Sequence, residues 1–264
     1  MRNVESTDYL LQELQKVETW EAEQKDLWFW ERLGRLPFVL LDKLTPNFLR
    51  DKAGQVMDEV SSYIQSGGRY LLNKQDVLNR FPVPLSEVSS VAALSLQDMD
   101  AVAQDLAKSR TKFAMYQGAV TGIGGIFTLA IDIPALLGVS LKVLQEIAIA
   151  YGYDPNDKQE RIFIIKCMQF VSADIVGKKA IIEELCTMQA DDRQTFAQIQ
   201  GWREVVLTQI DNFGWKKLFQ MIPIAGVLFG AYINKSTIQE MAEAGTMLYR
   251  KRRIIEKMNA LDIR

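Results

Sequence analysis

The 264-residue chain contains no histidine. That absence excludes Ser-His-Asp and Cys-His nucleophilic catalysis, H-E-x-x-H zinc sites and imidazole acid–base chemistry. Any reaction would have to use carboxylates, lysine, tyrosine or a metal held by oxygen. Cysteine is scarce: Cys167 and Cys186 stand alone, outside any C-x-x-C pair. The simple reading is a reducing compartment in which both thiols pack as small hydrophobes. An excess of one charge is missing too, since 31 basic and 33 acidic side chains leave a net charge of -2. A nucleic-acid-binding domain is usually strongly basic, so no nucleic-acid partner is expected. The N-terminus lacks a positively charged, then apolar, leader, and the chain is expected in the cytoplasm. Alternation of apolar and polar residues never runs long enough for a sheet. The expected fold is all-α, a single multi-helix domain. Residues 1–90 form its N-terminal helical region and 91–264 its core.

What the chain does have is Gln117–Ala150, its most apolar stretch, charged only at Asp132, Lys142 and Glu146. Ala114, Gly118 and Gly122 recur every four residues and share one helical face. Glycine costs a helix roughly 1 kcal/mol relative to alanine, so the repeat needs a reason. A face without side chains supplies one, because a second backbone can approach it closely. The stretch matches neither G-x-x-x-x-G-K-[S/T] nor G-x-G-x-x-G, which argues against a phosphate-cradling loop. A second apolar island, Leu218–Ile233, carries Gly226 and Gly230 at the same spacing. Two glycine-bearing apolar helical hairpins packed together are therefore expected, with Gly118 and Gly122 facing Gly226 and Gly230. Asp132 has two readings. Pro134 is tolerated in the first turn of a helix, which puts Asp132 at or just before the N-cap. The other reading is a carboxylate that binds a cation or a lipid head group. Lys142 and Glu146, four apart, form a candidate pair on the outer face.

Elsewhere, residues 6–33 read as a long helix with Leu10, Leu14 and Val17 at helical spacing. Another helix runs from Thr45-Pro46 to about Gln65. Phe81-Pro82-Val83-Pro84 is a loop, Ser86 and Ser95 are candidate caps, and Leu96–Tyr116 is helical. Gly152 suits a left-handed helix end, and Asp154-Pro155 starts a turn before a helix over Lys158–Phe170. Residues 180–190 read as helical, and Thr237-x-x-Glu240 is a capping-box pattern for the last helix. Arg250-Lys251-Arg252-Arg253 is the densest basic run. It reads as a solvated helix end, favoured by the helix dipole. Alternatively it touches anionic lipid, at about 1 kcal/mol per basic side chain.

Several of these segments together resemble the signatures of the EcsC family of bacterial proteins. They are Leu96-Gln97-Asp98-Met99-Asp100, Gln117–Ile133 leading into Pro134, and the run from Gln145 through Tyr151–Pro155 to Glu160-Arg161. Pro223-x-x-Gly226-x-x-x-Gly230-Ala231 and Tyr249-Arg250-x-Arg252 complete the set. The resemblance covers most of residues 94–254 and is looser over the first 90. It implies a helical, membrane-associated module of undefined activity. The family positions that carry over are Asp132, Pro134, Glu146, Tyr151, Gly152, Asp154 and Arg161.

Two function classes compete. In the first, the protein is a peripheral module on a membrane surface or a membrane protein. A true span is disfavoured, because Asp132 would cost roughly 3 kcal/mol at a bilayer centre and Pro134 interrupts the helix. In the second, the protein is a metal or small-molecule binder, or an enzyme. Its candidate binding residues are Asp132, Glu146, Tyr151, Asp154 and Arg161, although their spacing matches no calcium loop. No cofactor is implied by either class.

Overall fold

Ser6 opens the first helix. Its Oγ accepts a hydrogen bond from the Tyr9 amide at 3.2 Å, and Asp8 adds an acid to the first turn. Both suit the positive end of a helix. The computed structural model describes residues 5–25, 62–67, 72–122, 129–172, 175–187 and 223–262. In it this helix, α1, spans Thr7–Lys25 and turns Leu10 and Val17 fully inward. A helical segment over 62–66, a single turn at Gln75–Leu78 and a 3-10 turn at Val88–Ala93 lead to the main bundle. The 3-10 turn starts after Glu87 without a side-chain cap, so Ser86 does not serve as one. Ser95 does cap: its Oγ accepts the Asp98 amide at 3.1 Å and starts α2, Leu96–Gly122.

Helix α3 spans Leu129–Ala150. Asp132 therefore lies within α3, with helical residues on both sides, and not at an N-cap, which corrects the sequence expectation for the backbone. Pro134, also within α3, has no N–H and forgoes one intrahelical bond. The end of α3 is as expected. Gly152 adopts φ 82°, its amide reaches Ile149 O, and the Tyr153 amide reaches Ala148 O at 2.9 Å. This pair of bonds is a Schellman motif. A β-carbon at Gly152 would meet the Ala92 backbone nitrogen at 3.1 Å, so close packing as well as φ asks for glycine. Asp154 Oδ1 then accepts the Asn156 amide at 2.8 Å, turning the chain into α4, Lys158–Ser172. Helix α5 follows at Ile175–Thr187.

The last helix, α6, is one piece of 40 residues, Pro223–Asp262, about 60 Å long at 1.5 Å per residue. The capping-box reading of Thr237 and Glu240 is overturned, because both lie mid-helix. Between Ile233 and Met241 there is no glycine or proline to stop propagation, and Ser236 Oγ simply reaches Glu240 at 2.7 Å. Helix α6 packs against α1, α2, α3 and α4, most extensively against α2. It is the mast of the bundle.

The register follows from specific pairs. Arg250 meets Asp100 and Glu13, Trp20 meets Glu243, and Arg110 meets Glu146. Gly245 sits against Leu144 and Ile147. Helices α1 and α2 thus run antiparallel to α6, and α3 runs parallel to it. The end of α2 and the starts of α3 and α6 consequently gather at one pole. There the chain is most apolar and carries its glycine repeats. The surroundings of Gly118, Gly122, Gly226, Gly230 and the Asp132 side chain lie outside the described residues. Among the described residues there is no strand, and no helix is long and apolar enough to cross a membrane.

Candidate functional site

Consecutive residues on a helix point about 100° apart, so Arg250, Lys251, Arg252 and Arg253 each reach a different neighbour. Arg250 donates from Nη2 to Glu13 of α1 at 2.5 Å and from Nε to both oxygens of Asp100 of α2 at 3.0 Å. Lys251 reaches Glu21 of α1 at 2.7 Å. Arg252 pairs with Glu160 of α4 at 2.6 Å, with its guanidinium 4.1 Å from the Tyr153 ring centroid. Arg253 donates to the Tyr151 carbonyl at 2.8 Å and pairs with Glu256 at 2.7 Å. Arg250 and Arg253 are 9% and 6% exposed. The expectation of a solvated or lipid-facing basic run is therefore corrected. Each of the four cations is matched to a carboxylate: Arg250, Lys251 and Arg252 to acids on other helices, and Arg253 to Glu256 on α6 itself.

Electrostatics bear this out. Burial works to raise the Glu13 carboxyl, yet hydrogen bonds from Arg250 and Lys16 hold it below its ordinary value. For Arg250, burial pulls downward, but hydrogen bonds to Asp100 and Glu13 raise it on balance. Glu160 goes the other way. Burial dominates and lifts it, with Arg252 opposing. Burial likewise pushes the Tyr151, Tyr153 and Tyr249 hydroxyls and the Cys167 thiol upward. General acid–base work needs a group poised near the operating pH, and these four are driven away from it.

The five sequence-chosen binding residues are not brought into one cluster. Glu146, 3% exposed, takes a bidentate pair from Arg110 of α2, with Nε to Oε2 at 2.6 Å. It does not pair with Lys142 on an outer face, because α3 turns Glu146 inward. Tyr151 donates to Asp100 at 2.6 Å and so joins the Arg250 cluster. Asp154 pairs with Lys74 at 2.5 Å. Arg161 is spent on backbone, donating to Ile64 O at 2.8 Å, to Gln65 O at 3.1 Å and to Asn156 O. Asp132 lies outside the described side chains. The other four are fasteners between elements. Among the described residues, no three His, Cys, Asp or Glu side chains are grouped to hold a metal ion.

Sequence reading missed Glu13 and Arg110, and named Asp100 and Glu160 only within family signatures, without their pairing. The signal was present for Arg110, which continues the buried stripe Ala103, Leu106 and Ala114 at helical spacing. A charge on an apolar stripe demands a buried partner.

A different kind of site lies between α2 and α6, on the flank toward the apolar pole. There the two helices leave a groove of about 560 Å³. Ala107, Thr111 and Met115 form one wall, Ala242, Thr246 and Met247 the other. Lys108, Lys112 and Lys235 stand along it, all exposed. Its carboxylate, Glu243, accepts the Trp20 indole N–H at 2.7 Å. Beside the groove, Phe113, Met115 and Tyr116 are 52%, 43% and 71% exposed.

Comparison with known proteins places the chain in a family. The model of the EcsC protein family matches residues 11–254. "Uncharacterized protein YdbA" of Bacillus subtilis (strain 168) is 51% identical over 261 residues, covering 96% of each chain. "Protein EcsC" of the same organism is 29% identical over 161 residues, covering 61% of this chain and 66% of that protein. No solved structure gives a significant match. With the family model spanning α1 to the basic run of α6, this chain belongs to the EcsC protein family.

Proposed function

We propose that this protein seats on a membrane surface through the pole where α2 ends and α3 and α6 begin. The observation that carries the reading is the exposure of Phe113, Met115 and Tyr116 on the last turns of α2. Large apolar side chains grouped in water mark contact with lipid or protein. They stand directly before the most apolar stretch of the chain, and Lys112 stands among them. Sinking three half-exposed side chains contributes about 1 kcal/mol each. Lys108, Lys112 and Lys235 near an anionic surface contribute about 1 kcal/mol each. A total of about 6 kcal/mol corresponds to a dissociation constant of some tens of micromolar. Attachment of this strength is weak and reversible, and it weakens with salt. The run at 250–253 plays no part, since its charges are matched internally.

The test is flotation with anionic and neutral vesicles at low salt. Wild-type protein should float with anionic vesicles, and Phe113→Ser/Tyr116→Ser should lose most of that binding. Exposed substitutions of this kind cost about 0.5 kcal/mol or less in stability, so the variant stays folded. Wild-type protein that remains in the soluble fraction with both vesicle types would overturn the reading.

A further inference from the structure

We infer that the groove between α2 and α6 binds a single-chain anionic amphiphile of the medium-chain fatty-acid class. This ligand does not depend on the membrane seat proposed above. The groove volume of about 560 Å³ falls within the range of about 300–1,000 Å³ typical of small-molecule sites. Its lining on α2 runs from Gln104 to Met115. At 1.5 Å per residue that is about 16 Å, roughly the length of an extended twelve-carbon chain. Ala107 and Ala242 contribute only methyl groups, which leaves an apolar slot along the groove floor free of bulky side chains. Met247 adds a thioether that adapts to an irregular apolar surface.

The charges set the orientation and the sign. Lys108, Lys112 and Lys235 have no ion-pair partner among the described residues. The cations at 250–253, by contrast, are all paired. Lys112 and Lys235 lie toward the Met115 end of the groove, where α2 and α6 are in antiparallel register. Glu243 lies farther along α6, hydrogen-bonded to Trp20. A carboxylate head group therefore belongs at the Lys112–Lys235 end, with Lys108 one turn inward and the acyl chain running toward Met247. A cationic or neutral amphiphile would leave the three ammonium groups uncompensated beside it.

The experiment is titration calorimetry of the full chain with dodecanoate below its micellar concentration, without vesicles. Saturable binding of one dodecanoate per chain is expected, with dodecyltrimethylammonium giving none. Lys108→Glu/Lys112→Glu/Lys235→Glu should weaken dodecanoate by about tenfold or more, the consequence of replacing attraction with repulsion. Ala107→Trp should fill the slot and abolish binding. If that variant fails to fold, the lysine variant carries the test, because its three positions are exposed. Phe113→Ser/Tyr116→Ser should bind dodecanoate as wild type does, so failure of the membrane seat leaves this result intact. Absence of saturable binding would overturn the inference. Equal binding by the lysine variant, or equal binding of dodecyltrimethylammonium, would overturn it too.

Discussion

Arg250→Met keeps most of an aliphatic stem and removes the guanidinium. Asp100 then loses its cation, and Glu13 keeps only the exposed Lys16 at 2.7 Å. Glu13, 7% exposed, loses an N–H···O bond of 2.5 Å. Asp100 loses bonds to both its oxygens at 3.0 Å and retains only Tyr151 at 2.6 Å. Water has little access to replace them. Deleting one partner of a buried pair costs about 3–5 kcal/mol, because the other charge is stranded. That is a large share of the roughly 5–15 kcal/mol that holds a domain together. For a chain of this size each kcal/mol moves the midpoint by about 2–4 °C, so a fall of about 6–20 °C is expected. The assay is thermal and urea unfolding of three proteins: wild type, Arg250→Met, and Arg250→Met/Glu13→Leu/Asp100→Asn. The triple variant removes the stranded charges and should recover more than half of the loss. By the same reasoning, glutamate at all of 250–253 should unfold the protein and not merely release it from a surface. A cost below about 1 kcal/mol for Arg250→Met would refute the argument, placing the pair among exposed ion pairs.

Three other outcomes are expected. At Gly245→Ala, the new β-carbon would stand 2.5 Å from Leu144 Cδ2 and 3.6 Å from Ile147 Cδ1, both on fully buried side chains. Overpacking of about 1–3 kcal/mol then exceeds the gain of about 1 kcal/mol from helix propensity; a calorimetric midpoint above wild type would show that Leu144 swings aside freely. Glu13 is held below its ordinary value of 4.5, so its stabilisation is present above the unfolded-state value and lost as pH falls through the folded one. Glu13→Gln should therefore flatten the acid limb of a urea-midpoint profile below about pH 4.5, and an unchanged limb would dismiss this group as its source. Continuing the α2–α6 register beyond Met115 and Lys235 brings Gly118 and Gly122 to within about a turn of Gly230 and Gly226. Gly122→Leu should then cost about 1–3 kcal/mol in urea unfolding, and a neutral result would argue against a close backbone approach there.

Local chemistry was legible in the sequence by itself. Helical spacing indicated an all-α chain, and Leu10, Val17 and the stripe through Leu106 lie buried as that spacing requires. Ser95 caps, and Gly152 with Asp154 turns the chain, because these effects depend on a few neighbouring residues. Two other local signals lost. Asp132 is not an N-cap and Thr237 opens no new helix, since each sits where propagation and packing against neighbours outweigh one side-chain bond of about 1 kcal/mol. The charges were the least legible. Glu13 and Arg250 are 237 positions apart, and Arg110 and Glu146 are 36 apart. No periodicity within one helix says which distant carboxylate will face a given cation. A run of four basic residues reads the same whether water or buried acids surround it. Only the antiparallel register of α1 and α2 on α6 decided that the run at 250–253 is a clasp inside the fold. The same register left Lys108, Lys112 and Lys235 exposed along the groove, without an ion-pair partner among the described residues, because a desolvated charge needs a match and an exposed one can remain in water.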